Sequence, residues 1–339
     1  MKILVFFKQD NKNAHFEGAK MKINIQSALE MNEITYTNEL VDDYDVAHFI
    51  SPKNEKYIDE IKARHIPVVV SALFGEDDPS TRFLDLKFKD GKRSITISPL
   101  SQRTLEKADV IVVPSNNAKQ LLLDLGINNR IEVVEPGVNL SRFDFSRDDE
   151  KELFYRYFNE DHNKQIVISV GEYTKNMDGY NALVKTAERC KNAHFYFFGT
   201  GYDNVKNNLK FKIFKAKSPK NLKWKEIVPE DIYRSAILNA KIFLAPAYSF
   251  AGLLALNDAM AGKCQIIARK SAILSDMLID GETAYLADFS ETITAVVKDY
   301  LEGKQKPTIV DAQKKIEPYN IEGLGRKLKK IYQSLLDNK

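Results

Sequence analysis

The 339-residue sequence predicts an α/β protein with two doubly wound, parallel-sheet domains. Short apolar runs rich in β-branched and aromatic residues alternate with longer helical stretches. The runs are apolar throughout, not at every second position, as strands covered on both faces are. A charged stretch breaks the rhythm near the middle of a chain that exceeds the comfortable size of one core.

KILVFF (2–7) opens the chain as a buried strand. Its apolar run is too short for a signal sequence or a bilayer span, so the expectation is a cytoplasmic protein. Gly18 is expected in the loop that follows, at the border of a ligand cleft. DVAHFI (45–50), PVVVSAL (67–73), ADVIVVP (108–114) and RIEVVEP (130–136) complete a first domain over 1–145. SRFDFSRDDEKELFYRYFNEDHNKQ then interrupts the strands and restarts a helix, which places the boundary. QIVISVG (165–171), AHFYFFG (193–199), AKIFLAP (240–246) and CQIIAR (264–269) define a second domain over 146–318. The remainder, 319–339, carries apolar residues at Leu324, Leu328, Ile331 and Leu335, a helical stripe. Two such halves facing each other put ligands in the cleft outside the carboxyl ends of their strands.

Lys plus Arg number 50 against 47 Asp plus Glu, so no global field favours nucleic acid, and no nucleic-acid motif accompanies the local basic runs. Cys190 and Cys264 are far apart and lack metal-ligand spacing; they read as buried thiols of a reducing compartment.

Several segments in a shared order resemble glycosyltransferase family 4. ADVIVVPSNNAKQLLLDLGI is similar to its strand and helix near the end of the first domain, and EVVEPGVNLSRF to its N-G-V-D-x-x-x-F linker entry. SVGEYTKNMDG with HFYFFGTG resembles the opening of its nucleotide-sugar domain, and PEDIYRSAILNAKIFLAPAY its E-D-x-x-x-x-Y-x-x-A-D-x-F-x-x-P segment. EGAKMKINIQSAL and ARKSAILSDMLIDGETAYLAD are similar to Gram-positive enzymes that add a hexose to diacylglycerol glycolipids. The resemblance covers most of the chain. It implies a GT-B fold, with an acceptor-side domain followed by a nucleotide-sugar domain, and a final helix that crosses back onto the first. It also implies retaining transfer from a UDP-sugar to a lipid-linked or glycan acceptor at the membrane face. No cofactor or metal is required where Arg, Lys and a helix N-terminus take the diphosphate charge.

Against that family's pattern, the acidic groups are displaced. A glutamate is expected eight positions before a second acid, and this chain has Phe250 and Asp258 there. Phenylalanine cannot accept a hydrogen bond from a sugar hydroxyl, whereas Asp258 can still take a ribose diol. No acid occurs between Ala245 and Asn257, and these residues equally suit packing into the core. In the loop Gly171–Gly179 an aspartate, Asp178, stands where the family has a diphosphate-gripping lysine. Lys175 substitutes only if the register shifts, and otherwise reads as a solvated lysine. The histidine expected after PVVV is replaced by Ser71, Ala72, Leu73 and Phe74. His48, at the end of a strand, is the remaining polar candidate, with a structural role as its alternative. Gly171, Gly199 and Gly201 stand at expected strand ends, where they either approach a nucleotide closely or simply turn the chain.

The stretch KNNLKFKIFKAKSPKNLKWK (206–225) has eight lysines and no acid, with Phe211, Ile213, Phe214 and Trp224 between them. Lys210, Lys212, Lys215 and Lys217 are candidates for contact with anionic lipid, where each lysine contributes about 1 kcal/mol. The alternative is a soluble basic helix with its apolar residues turned inward. Lys87–Arg93, with Phe83 and Phe88, offers the same choice. Two functions follow: a retaining hexosyltransferase, or an impaired or non-catalytic homologue that serves an active glycosyltransferase as a subunit.

Overall fold

The computed structural model describes residues 1–8, 17–73, 84–89, 92–143, 148–173, 177, 180–226, 228–247, 252–270 and 276–337. The chain forms two compact units, Met1–Val138 with Tyr319–Lys339, and Asn139–Pro318.

The first unit runs β1 (Lys2–Phe6), α1 (Glu17–Met31), β2 (Thr35–Thr37), β3 (Val46–Phe49), α2 (Glu55–Ala63) and β4 (Val68–Ser71). An antiparallel hairpin, β5 (Leu84–Lys89) and β6 (Lys92–Ile97), then leads to α3 (Pro99–Glu106), β7 (Val110–Val113), α4 (Asn116–Asp124) and β8 (Ile131–Val133). Six strands form a parallel sheet in the order β2-β1-β3-β4-β7-β8. All of β3, β4 and β7 is buried, which is why these strands read as continuous apolar runs. Ser98 and Ser115 start α3 and α4 by accepting the backbone N–H of Ser101 and Ala118, and Pro99 occupies the first turn, where no N–H is needed.

A closing helix, Ile321–Leu336, completes this unit by packing on α1. The Asn320 side chain caps it by accepting the N–H of Gly323 at 2.7 Å. Leu324, Leu328 and Ile331 are buried along one face, and Leu335 is half-buried. Gly325 brings the two helices close: a Cβ there would run into the Asn32 side chain and the Ala28 carbonyl.

The second unit begins with a 3₁₀ turn at Leu140–Phe143 and continues through α5 (Asp148–Phe158), β9 (Gln165–Glu172), α6 (Asn181–Arg189), β10 (Ala193–Thr200), α7 (Tyr202–Val205), α8 (Leu209–Ala216) and β11 (Leu222–Glu226). It ends with α9 (Glu230–Asn239), β12 (Ala240–Ala245), α10 (Leu253–Ala261), β13 (Gln265–Arg269), β14 (Tyr285–Ala287), α11 (Ser290–Leu301) and α12 (Ile309–Ile316). Its parallel sheet has the order β11-β10-β9-β12-β13-β14. Tyr173, Tyr180, Phe197, Phe211 and Trp224 form an aromatic core on one side of it. Both cysteines are free and buried, and burial pushes both thiols above their ordinary pKa.

Two expectations change here. Gly18 is a buried residue in the first turn of α1, not part of a loop, because the helix starts at Glu17. The basic stretch 206–225 is not one helix: α8 and the edge strand β11 divide it. Phe211 and Trp224 point inward, whereas Leu209 and Ile213 stay exposed. Among the described residues no helix is long and apolar enough to cross a membrane.

Candidate functional site

Counted from β9 as its first strand, the second unit has the order 3-2-1-4-5-6, the doubly wound arrangement whose direction reverses between β9 and β12. Crossovers leave that point toward opposite faces of the sheet, which opens a crevice outside the carboxyl ends of the two strands. Gly171 and Glu172 end β9, and the chain after β12 enters α10, with Gly252 in the left-handed conformation (φ 62°) before its first turn. Left-handed backbone is most easily adopted by glycine. The helix starts with backbone N–H groups that have no partner within it, and these favour an anion.

Asp258 lies on α10 and is 8% exposed. The hydroxyl of Tyr233 on α9 faces its carboxylate; burial first, and the Asp258 charge second, push that phenol far above its ordinary pKa. Tyr233 and Asp258 thus form a buried pair between α9 and α10. A carboxylate so held can accept hydrogen bonds from a vicinal diol. Arg269, at the end of β13, is buried as well. Its Nε donates to the Pro246 carbonyl at 2.8 Å and another guanidinium nitrogen to the Asp288 carbonyl, so it ties the segment after β12 to the end of β14. Neither Tyr233 nor Arg269 is apparent as a site residue in the sequence; the one signal is an arginine ending the otherwise apolar run CQIIAR.

Gly171 and Gly199 are direct partners in the ladder between β9 and β10, so neither turns the chain. They are glycines because rings need the space: a Cβ on Gly171 would strike the Tyr180 hydroxyl, and one on Gly199 would strike Phe197 and Tyr173. The Tyr173 ring is fixed by its hydroxyl, which donates to the Lys225 carbonyl at 2.7 Å. Gly201 does turn the chain, with φ 75° before α7. Lys175, Asp178 and Phe250, together with Phe74, lie outside the described residues.

His48 belongs to the first unit and is fully buried on β3. Its Nδ1 lies 2.6 Å from the Tyr332 hydroxyl and its Nε2 2.8 Å from the Ser71 hydroxyl. Burial lowers its pKa to about 3, so the ring is neutral, with one nitrogen donating and the other accepting. A substrate would have to displace Ser71 or Tyr332 to reach it. The candidate chemical residue is therefore a buried joint between strand and closing helix.

Lys210, Lys212 and Lys217 are exposed on or just after α8, whereas Lys215 is half-buried over the Tyr202 ring, 4.8 Å from its centroid. Leu209 and Ile213 on the same helix are 71% and 47% exposed. Among the described residues no group of three or more His, Cys, Asp or Glu is placed to hold a metal ion.

Two doubly wound parallel-sheet units in one chain define the GT-B class of fold, and known structures agree. HepE from Anabaena, solved in complex with UDP-glucose, superposes with a TM-score of 0.74 over 98% of this chain and 100% of its own, at 13% identity. A glycosyltransferase from Rickettsia africae gives a TM-score of 0.68 over 100% and 99%, at 15% identity. Sucrose-phosphate synthase from Thermosynechococcus elongatus gives 0.66 over 87% and 75%, at 14% identity. The family model for Glycosyltransferase Family 4 matches residues 33–142, and that for Glycosyl transferases group 1 matches residues 150–331. The chain belongs to the group 1 glycosyl transferases, with an amino-terminal half of the family 4 type. No curated protein sequence matches it significantly.

Proposed function

We propose that the protein binds a nucleotide-sugar outside β9 and β12, with its transfer step impaired or lost, and acts as a non-catalytic subunit beside an active glycosyltransferase of glycolipid or cell-envelope glycan synthesis. The observation that carries this reading is the segment between β12 and Asp258. It keeps a buried carboxylate for the ribose but supplies no acid from Ala245 to Asn257 to hold the sugar. Removing one well-placed electrostatic group costs about 100- to 1,000-fold in rate, so replacement of the glutamate, the lysine and the histidine together leaves little turnover. The UDP-glucose held by HepE makes a UDP-hexose the donor to test first. The exposed lysines of α8, with Leu209 and Ile213 among them, suit peripheral attachment to an anionic membrane surface on the cytoplasmic side.

A second reading, an active retaining hexosyltransferase with a lipid-linked acceptor, is favoured by the family match across both halves. Incubation with labelled UDP-glucose and detergent-dispersed diacylglycerol separates the two. Absence of both UDP release and glycolipid product supports the impaired reading. Turnover by the wild type that Asp258→Ala abolishes establishes the active one.

A further inference from the structure

An ordinary surface helix turns its apolar stripe to the core and its charges to water, and α8 keeps only the first half of that rule. Phe211 is buried and Phe214 packs on Trp224 with ring centroids 5.5 Å apart, so the inner side of the helix is seated on the aromatic core. Leu209, 71% exposed, and Ile213, 47% exposed, face solvent one turn apart, and Ala216, also exposed, extends their line. With about 3.6 residues per turn, Lys210 and Lys217 fall on one side of this apolar ridge and Lys212 on the other.

The charge beside the ridge is not cancelled nearby. No acid occurs between Lys206 and Lys225. Lys206 is paired with Asp203 at 2.6 Å and Lys215 lies over the Tyr202 ring, but Lys210, Lys212, Lys217 and Lys220 are exposed and meet no acid among the described residues. Packing also fixes which way the ridge faces. The Asn208 side chain caps α8 by accepting the N–H of Phe211 at 3.1 Å, and just beyond its end Trp224 Nε1 donates to the Ser218 hydroxyl at 2.9 Å.

Two aliphatic side chains flanked by lysines do not make a protein interface, which covers about 800 Å² on each partner and is poor in lysine at its core. An anionic bilayer meets both components, because lysine heads reach the headgroup phosphates while the aliphatic side chains enter the acyl boundary beneath. We infer that α8 is a membrane anchor that inserts Leu209 and Ile213 into the edge of an anionic bilayer, with Lys210, Lys212 and Lys217 as headgroup counter-charges. Peripheral attachment is part of the proposed function, and on that reading the anchor is apolar as well as electrostatic and belongs to the unit assigned to the nucleotide-sugar.

The test compares the full chain with Leu209→Gln/Ile213→Gln and with Lys210→Gln/Lys212→Gln/Lys217→Gln, by co-sedimentation with phosphatidylcholine vesicles with and without phosphatidylglycerol. The replaced side chains are all exposed, and emission from Trp224, the one tryptophan of the chain, reports that α8 stays seated. Wild-type protein should partition onto the phosphatidylglycerol vesicles and hardly at all onto phosphatidylcholine alone. The lysine variant should bind about tenfold or more weakly, since each lysine near an anionic surface contributes a factor of about five. The aliphatic variant should also lose about tenfold, and a dye on Leu209→Cys should be quenched by lipids brominated in their acyl chains, whereas a purely electrostatic contact would show neither. The inference is overturned if the wild type ignores anionic vesicles, or if either variant binds as the wild type does. Self-association of the wild type that the aliphatic variant abolishes, without vesicle binding, would assign the ridge to a second copy and overturn it too. UDP titration without vesicles reads the nucleotide-sugar site separately: a wild type that binds no UDP rejects that part of the proposed function, whereas intact UDP binding without vesicle binding rejects only the anchor.

Discussion

The Tyr332 hydroxyl sits 2.6 Å from His48 Nδ1 in a fully buried contact that joins the closing helix to β3. With Ser71 on the other ring nitrogen, the imidazole bridges two strands and a helix that are distant in sequence.

Acid should weaken this joint. The unfolded chain binds a proton at His48 near the ordinary imidazole value of 6.5, and the folded chain only near 3. Between these values the unfolded state holds more protons, so stability falls as pH drops, by up to about 1.4 kcal/mol per pH unit. Denaturant unfolding at a series of pH values should show that slope, and His48→Gln should flatten it. An unchanged slope would assign the acid sensitivity elsewhere.

Tyr332→Phe tests the same contact at neutral pH. It leaves a buried ring nitrogen without its partner, which costs about 1–3 kcal/mol. A stability within experimental error of wild type would contradict the pairing.

Gly325→Ala decides between two opposed effects. Helix propensity alone would stabilise by about 1 kcal/mol. The added methyl, however, meets the Ala28 carbonyl and the Asn32 side chain, which itself donates to Ala28 at 2.9 Å. Overpacking typically costs about 1–3 kcal/mol, so the net change should be destabilising in a melting experiment.

In the second unit, the Glu160 side chain is 3% exposed and accepts from Tyr196 Oη at 2.5 Å and His194 Nδ1 at 2.8 Å. Burial alone would raise its pKa, but the hydrogen bonds from Tyr196, the Asp161 N–H and His194 outweigh burial and lower it. Its stabilisation is therefore present above the ordinary carboxyl pKa and is lost as pH falls through the lower folded value. Glu160→Gln should be less stable at pH 7 and lose less stability on acidification below pH ~4.5.

The parallel sheets were legible because strands buried on both faces leave unbroken apolar runs, as VVV at 68–70 and VIVV at 110–113 do. β11 was not, because LKWKE alternates lysine with Leu222 and Trp224 as a sheet edge does, and its neighbours made it look like part of a basic helix. Gly171 and Gly199 looked like turns for a similar reason. What demands glycine there is the Tyr180 ring on one side and Tyr173 with Phe197 on the other, and such contacts form only on folding. Asp258 was visible through the resemblance to the family's pair of acids eight positions apart. Its partner Tyr233, 25 residues earlier on another helix, was not.

Nucleotide binding by the second unit is the centre of this account, and calorimetric titration of UDP into wild type and Asp258→Ala tests it most directly. The prediction is a saturable wild-type isotherm that weakens about tenfold or more in the variant, consistent with loss of a charged hydrogen bond to the ribose. A wild-type protein that binds no UDP, or a variant that binds it equally well, would contradict the assignment.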